Sequence, residues 1–140
     1  MSEVLQPSIY TLGELISLCQ QHNITVDQEM RARWEAQAKL GSTPQEIYLA
    51  ITNQENIHLP AFPNSLTRLV VIKYRRQKAS DGRFRFYPHS VEEYSATHLK
   101  RSNDGKKWMV MGVERGETEI LGTLEPTAAR AFVYPLRATV

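Results

Sequence analysis

The sequence predicts an α+β protein with its helices first: an N-terminal three-helix segment (residues 1–55), a proline-containing linker or strap (56–66), and a small antiparallel β-barrel or meander of the SH3/Sm/OB-like kind (67–140). Two observations carry this. Three capping-box signals crowd the first third of the chain, and beyond residue 66 short alternating runs are separated by glycine-containing turns.

The capping boxes are Thr11-Leu-Gly-Glu14, Thr25-Val-Asp-Gln28 and Thr43-Pro-Gln-Glu46. In each, a threonine hydroxyl accepts from a first-turn amide while the Glu or Gln three residues on reaches back. Pro44 occupies the first helical position of the third, where a missing amide proton costs nothing. The spacing predicts helices over 12–22, 26–40 and 44–53, with Gly41 ending the second. Leu12, Leu15, Ile16 and Cys19 form one apolar stripe, Val26, Met30 and Trp34 a second, and Ile47, Tyr48 and Ile51 a third. Trp34 and Cys19 therefore read as core residues rather than as ligand or nucleophile.

Pro60 and Pro63 interrupt any helix in the linker. The pattern beyond it predicts strands near 67–77, 83–88, 91–99, 106–114, 118–124 and 131–138, with one short helical turn at 125–130. The clearest of these signals is the ribbon from Arg68 to Pro88, closed around Ser80-Asp81-Gly82. An odd-length loop there keeps Tyr74, Phe84 and Phe86 on one apolar face and Lys73, Arg75, Arg83 and Arg85 on the other. With a five-residue loop, Arg75 is expected opposite Arg85, a like-charge pair that invites an anion. Phe84 and Phe86 are expected in the core, with Trp108 buried beside one of them.

Net charge is only +2, but it is unevenly spread. Residues 1–64 hold three Lys/Arg against seven Asp/Glu, whereas residues 65–140 hold fourteen against eight. Such asymmetry suggests a segment that meets a polyanion or an acidic partner surface. The basic residues singled out as a binding set are Lys73, Arg75, Arg83 and Arg85 on the ribbon, Lys100, Arg101, Lys106 and Lys107 around the turn at 102–105, and Tyr87 as a stacking aromatic.

Three pieces of the β half, Ile72-Lys-Tyr74, Arg85-Phe-Tyr-Pro88 and Gly105-Lys-Lys-Trp108-Met-Val, resemble the WYL domain of bacterial regulators over about 45 residues. The tripeptide that names that family is here Trp108-Met109-Val110. The resemblance implies an Sm-like barrel, often attached to an N-terminal helix-turn-helix, and a regulatory role with nucleic acid.

Catalytic signatures are missing from the sequence. His22, His58, His89 and His98 fall in four different predicted segments without a close ligand pair, which speaks against a metal site. Asp27, Asp81 and Asp104 are each accounted for by a helix start or a turn, no nucleophile-elbow motif occurs, and the seven glycines are not clustered. No cofactor or metal and no enzymatic activity are therefore expected. One cysteine, no signal-like start and no apolar run of bilayer-spanning length lead to the expectation of a cytoplasmic protein without membrane insertion, a monomer or weak dimer. The expected role is an accessory or adaptor subunit docking on a protein partner or larger assembly through the basic ribbon. The alternative is a module that contacts DNA or RNA phosphates through the same ribbon.

Overall fold

The computed structural model describes residues 8–138. Two helices, α1 (Leu12–Gln21) and α2 (Gln28–Lys39), precede eight strands: β1 (Gln45–Ile47), β2 (Asn56–His58), β3 (Ser65–Lys78), β4 (Phe84–Tyr94), β5 (His98–Arg101), β6 (Trp108–Glu114), β7 (Glu117–Leu124) and β8 (Ala129–Arg137). The strands form two antiparallel four-stranded sheets, ordered β1-β8-β3-β4 and β2-β5-β6-β7. The first sheet lies between the helices and the second sheet, giving three layers.

The first helix starts as its sequence requires. Thr11 Oγ1 accepts from the Glu14 amide at 3.0 Å, and the Glu14 carboxylate accepts from the Tyr10 amide at 3.0 Å. The second start lies two residues beyond Thr25. Asp27 caps α2 by accepting from the Met30 amide at 3.3 Å, because an aspartate is at least as good a cap as a threonine and stands nearer the amphipathic run.

The third predicted helix, over 44–53, is not formed. Gln45, Glu46 and Ile47 instead pair with Val133, Phe132 and Ala131 as an edge strand of the first sheet. Backbone pairing to the open edge of β8 outweighs the local cap, and Pro44 is tolerated just ahead of an edge strand. Glu46, expected to reach back to an amide, holds Arg130 through two hydrogen bonds of 2.7 and 3.1 Å. The Leu49 carbonyl is likewise left open to accept from Trp108 Nε1 at 2.8 Å.

The expected barrel is also corrected. β4 and β1 bound one sheet, and β2 and β7 bound the other, so both sheets are open. The Sm-like barrel implied by the WYL resemblance is accordingly absent. The predicted strand at 83–88 and the first part of that at 91–99 merge into the single strand β4, bent by a bulge where Lys73 pairs with Ser90 but Tyr74 pairs with Pro88, while His98 and Leu99 open β5. Close stacking of the two sheets is secured where side chains are smallest. A Cβ on Gly122 would stand 2.6 Å from the Tyr94 hydroxyl, and one on Gly112 would stand 2.8 Å from the Ser95 carbonyl oxygen.

Strand β3 serves two cores at once. Val70, Ile72 and Tyr74 point to the helices and pack with Leu12, Leu15, Cys19, Trp34, Phe132 and Tyr134. Leu69 and Val71 point the other way, to Leu99, Trp108, Val110, Leu124 and Val133. Trp108 is fully buried in this second core and not beside Phe84 or Phe86, which lie exposed on the ribbon. Fully burying a side chain the size of Leu or Val contributes about 1.5–3 kcal/mol, and each core holds several.

The helical layer is attached to the sheet by polar contacts as well as apolar ones. The Glu93 carboxylate, with no exposed side-chain surface, accepts from Arg33 Nε and Arg68 Nε at 2.9 Å, from Trp34 Nε1 at 2.5 Å and from the Tyr134 hydroxyl at 3.1 Å. Burial disfavours the charge on Arg33, but Glu93 and Tyr134 outweigh it and hold the guanidinium more firmly protonated than usual. Burial and the Glu93 carboxylate together push the Tyr134 hydroxyl well up, so it remains a donor. Farther along α2, Gln37 donates to the Arg137 carbonyl at 2.9 Å and accepts from the Arg137 amide at 2.8 Å.

Two outcomes follow from this packing. Glu93→Ala leaves two guanidiniums, an indole N–H and a phenol without their acceptor, and should cost about 3–5 kcal/mol by urea unfolding. Burial pushes the Cys19 thiol up to about 11. Because the thiolate is the reactive form, iodoacetamide at pH 8 should label Cys19 only after denaturant is added; rapid labelling of the folded protein would contradict its placement.

Candidate functional site

The ribbon is the longest element of the fold and the least enclosed. Pairing of β3 with β8 ends at Lys73 opposite Ala129, whereas pairing of β3 with β4 continues to Lys78 opposite Phe84. The Tyr74 amide still donates to the Ala128 carbonyl at 2.8 Å, and from Arg75 to Lys78 the two strands run on alone for about 10 Å at 3.4 Å per residue. A five-residue loop, Ala79 to Arg83, closes them, with the Ala79 amide donating to the Arg83 carbonyl at 2.7 Å. Asp81 organises this tip: it accepts from the Arg83 amide at 3.0 Å and from the Arg85 guanidinium at 2.9 Å. Gly82, at φ +81°, supplies the left-handed turn residue.

The register differs from the expected one by two residues. Arg75 faces Tyr87, Arg76 faces Phe86, Gln77 faces Arg85 and Lys78 faces Phe84. The like-charge pair of Arg75 and Arg85 is thus not formed, since Lys78 joins β3 and Arg83 joins the loop, which shifts the five-residue loop from 78–82 to 79–83 and moves every pairing along. The odd loop length does preserve the division of faces. Arg75, Arg85 and Tyr87 lie on one face, and Tyr74, Phe84 and Phe86 on the other.

Both faces nevertheless carry positive charge. Arg76 and Lys78 share the face of the two phenylalanines, and the Arg76 guanidinium lies over the Phe84 ring, 4.4 Å from its centroid. Arg76 and Lys78 were missed by the sequence reading, which treated that face as apolar core. The adjacent Arg75-Arg76 pair was the available signal, because neighbouring strand residues point to opposite sides. Phe84 and Phe86 are exposed because the face that is buried nearer the root extends beyond the helices here. Arg75 and Lys78 have no ion-pair partner among the described residues.

At the root the charges are committed. Lys73 Nζ lies 3.1 Å from the Glu92 carboxylate, which also accepts from the Tyr94 hydroxyl. Burial opposes ionisation of Glu92, but the Tyr94 and Lys73 contacts outweigh it and hold the carboxyl below its usual 4.5. Lys73, His89 and Lys107 line one small cleft with Thr123 and Glu125, where Lys107 Nζ is 3.7 Å from Glu125. Lys107 thereby joins the ribbon root. Lys100, Arg101 and Lys106 do not. Lys100 is exposed on β5, and Arg101 is bound to the Thr52 carbonyl at 2.9 Å and to Glu55. Lys106 lines a separate open cleft with Tyr48, Ile51, Pro126 and Arg130. That cleft is the larger, at about 830 Å³, but it is mostly apolar and its Arg130 is bound to Glu46, so the charge remains concentrated on the ribbon.

Strand pairing brings together two histidines that the sequence kept apart. His58 and His98 are cross-strand partners with ring centroids 6.0 Å apart. Among the described residues no group of three or more His, Cys, Asp or Glu stands close enough to hold a metal ion, and no helix is long and apolar enough to cross a membrane. In comparisons with known proteins, the chain matches no family model, no curated protein and no solved structure.

The Glu92 network makes a pH prediction. A carboxyl whose folded pKa is depressed adds stability that is present above its unfolded value and is lost as pH falls through the folded one. Glu92→Gln should therefore flatten the loss of thermal stability on acidification below about pH 4.5. The side chain is 38% exposed, so solvent screening keeps the difference small. Parallel acid limbs for the two proteins would remove Glu92 from the account.

Proposed function

We propose that the protein is a non-catalytic binding module that takes nucleic acid on its projecting basic ribbon. The observation that carries this reading is the presence of cations and aromatic rings on both faces of a free-standing two-stranded arm. Arg75 and Arg85 lie on one face, Arg76 and Lys78 on the other, beside Phe84 and Phe86. A flat acidic protein surface would engage one of these faces and leave the other idle. A nucleic-acid groove presents phosphates along both walls, and the major groove is wide enough to admit a two-stranded ribbon. The exposed phenylalanines add surfaces on which bases stack.

A second reading draws on one specific feature. Aromatic and arginine side chains are enriched at the centres of protein interfaces, and Arg76 stacked on Phe84 beside Phe86 has that composition. An acidic protein partner would use this face, in the manner of an accessory or adaptor subunit.

The test is a direct titration of fluorescent duplex DNA, single-stranded DNA and RNA, with pull-downs before and after nuclease treatment. The double variant Arg75→Glu plus Arg85→Glu should keep a melting temperature near that of the wild type, since of these two only Arg85 has an ion pair to lose, the exposed one with Asp81. It should abolish binding. For three or four phosphate contacts, the logarithm of wild-type affinity should fall against the logarithm of salt with a slope of about 2 to 4 in magnitude. Equal binding by the folded double variant would refute the reading, and nuclease-resistant capture of a single protein would favour the second.

A further inference from the structure

A second hairpin projects from this fold, and its charge is opposite to that of the ribbon. Pairing of β5 with β6 ends at His98 opposite Met111, so residues 112–119 have only each other as strand neighbours. The turn is a tight one, with Arg115 at φ 52° and Gly116 at φ 79°, the backbone of a two-residue hairpin connection. Glu114 stands directly opposite Glu117, and Glu119 opposite Gly112. Like charges so placed repel, and a protein usually relieves them with a neighbouring cation. Here no ion pair reaches Glu114, Glu117 or Glu119 among the described residues. On the other face Val113 and Ile120 are 56% and 58% exposed, much as Phe84 is 56% and Phe86 39% exposed on the ribbon.

The two hairpins leave the molecule at opposite ends. The start of β6 lies by the ribbon, since Lys107 lines the root cleft together with Lys73 and His89. Its far end passes Ser95, whose carbonyl lies against Gly112, just beyond the end of β4 that is remote from the ribbon tip. One end therefore carries unpaired cations flanked by exposed phenylalanines, and the other carries unpaired carboxylates flanked by exposed aliphatics. The two cannot meet within one chain.

We infer that the acidic β6–β7 hairpin is a docking surface for a second copy of this chain, which places its basic β3–β4 ribbon against it. Each half of the contact supplies what the other lacks. The carboxylates of Glu114 and Glu117 gain the counter-charge that their own strand neighbours do not provide, and Arg75, on the ribbon face that also carries Arg85, gains acceptors. Because the two surfaces differ, the contact is heterologous; it either repeats head to tail or closes when two copies lie antiparallel and exchange both contacts.

The test uses the full chain freed of nucleic acid by nuclease, so that it stands apart from the nucleic-acid reading. Sedimentation velocity is measured at about 0.01 M salt, where the Debye length is about 30 Å, and at about 1 M, where it is about 3 Å. The wild type should associate at low salt and dissociate at high salt. The hairpin variant Glu114→Lys plus Glu117→Lys plus Glu119→Lys, and the ribbon variant Arg75→Glu plus Arg85→Glu, should each be monomeric alone at low salt. Mixed together, they should associate again, because each now offers the surface that the other requires. A plateau at dimer mass would indicate the closed antiparallel pair, and a mass that keeps rising with concentration the head-to-tail series; both support the contact. A wild type that stays monomeric at low salt, association of the hairpin variant alone, or a mixture of the two folded variants that stays monomeric would overturn it.

Discussion

The three layers depend on one buried carboxylate. Glu93 sits on β4 facing the helices, and its two oxygens gather a guanidinium and an indole from α2, a guanidinium from β3 and a phenol from β8. Withdrawing an ionised carboxylate from water is expensive unless its lone pairs are filled and a counter-charge stands close, and here both conditions are met. Apolar stripes alone would let α2 slide or rotate over the sheet. Four directional contacts to one group fix its height and its angle, and the paired bonds between Gln37 and Arg137 fix its far end.

How far this was legible in the sequence depends on the range of the interaction involved. Threonine and aspartate caps, glycine-closed turns and alternating strands act within a few residues, and α1, the ribbon and the hairpin at Arg115-Gly116 could be read directly. The stretch after Thr43 could not. Its capping box is as good as the first, but β8 offers a free edge some 85 residues away, and partners at that distance leave no local trace. The same holds for the split into two open sheets. Alternation reports which face of a strand is buried, not whether the last strand returns to the first. The unbroken run Leu69-Val70-Val71-Ile72 carries the pattern of a strand buried on both faces, a signal that reading the stretch as one arm of an alternating ribbon passed over.

The proposed binding surface was legible as composition but not as geometry. Counting cations located the ribbon; only the pairing register separates Arg85, tied to Asp81, from Arg75, which has no such partner among the described residues. Arg101 was chosen for its charge and proves to be a structural tie between β5 and the segment at Thr52 and Glu55. Glu92 and Glu93 are adjacent on a strand, so alternation alone sends them to opposite faces. The convergence of four donors on Glu93 is a property of the folded chain.

The ribbon and the centre of the molecule are the same strand. β3 leaves the tip at Lys78 and runs without a break into Ile72, Val71, Val70 and Leu69, which are held by neighbours on both edges and by a core on both faces. An arm built this way is continuous with the core along β3, and its base is bent only where β4 bulges opposite Lys73 and Tyr74. A ligand taken on the arm, as proposed, would meet strand pairing already in place before contact, so little backbone entropy would be lost on binding. A load applied at Phe84 or Phe86 passes straight along the backbone into the most deeply anchored part of the fold, and the protein bears tension at its tip as a beam fixed at one end does, with its firmest support at the wall.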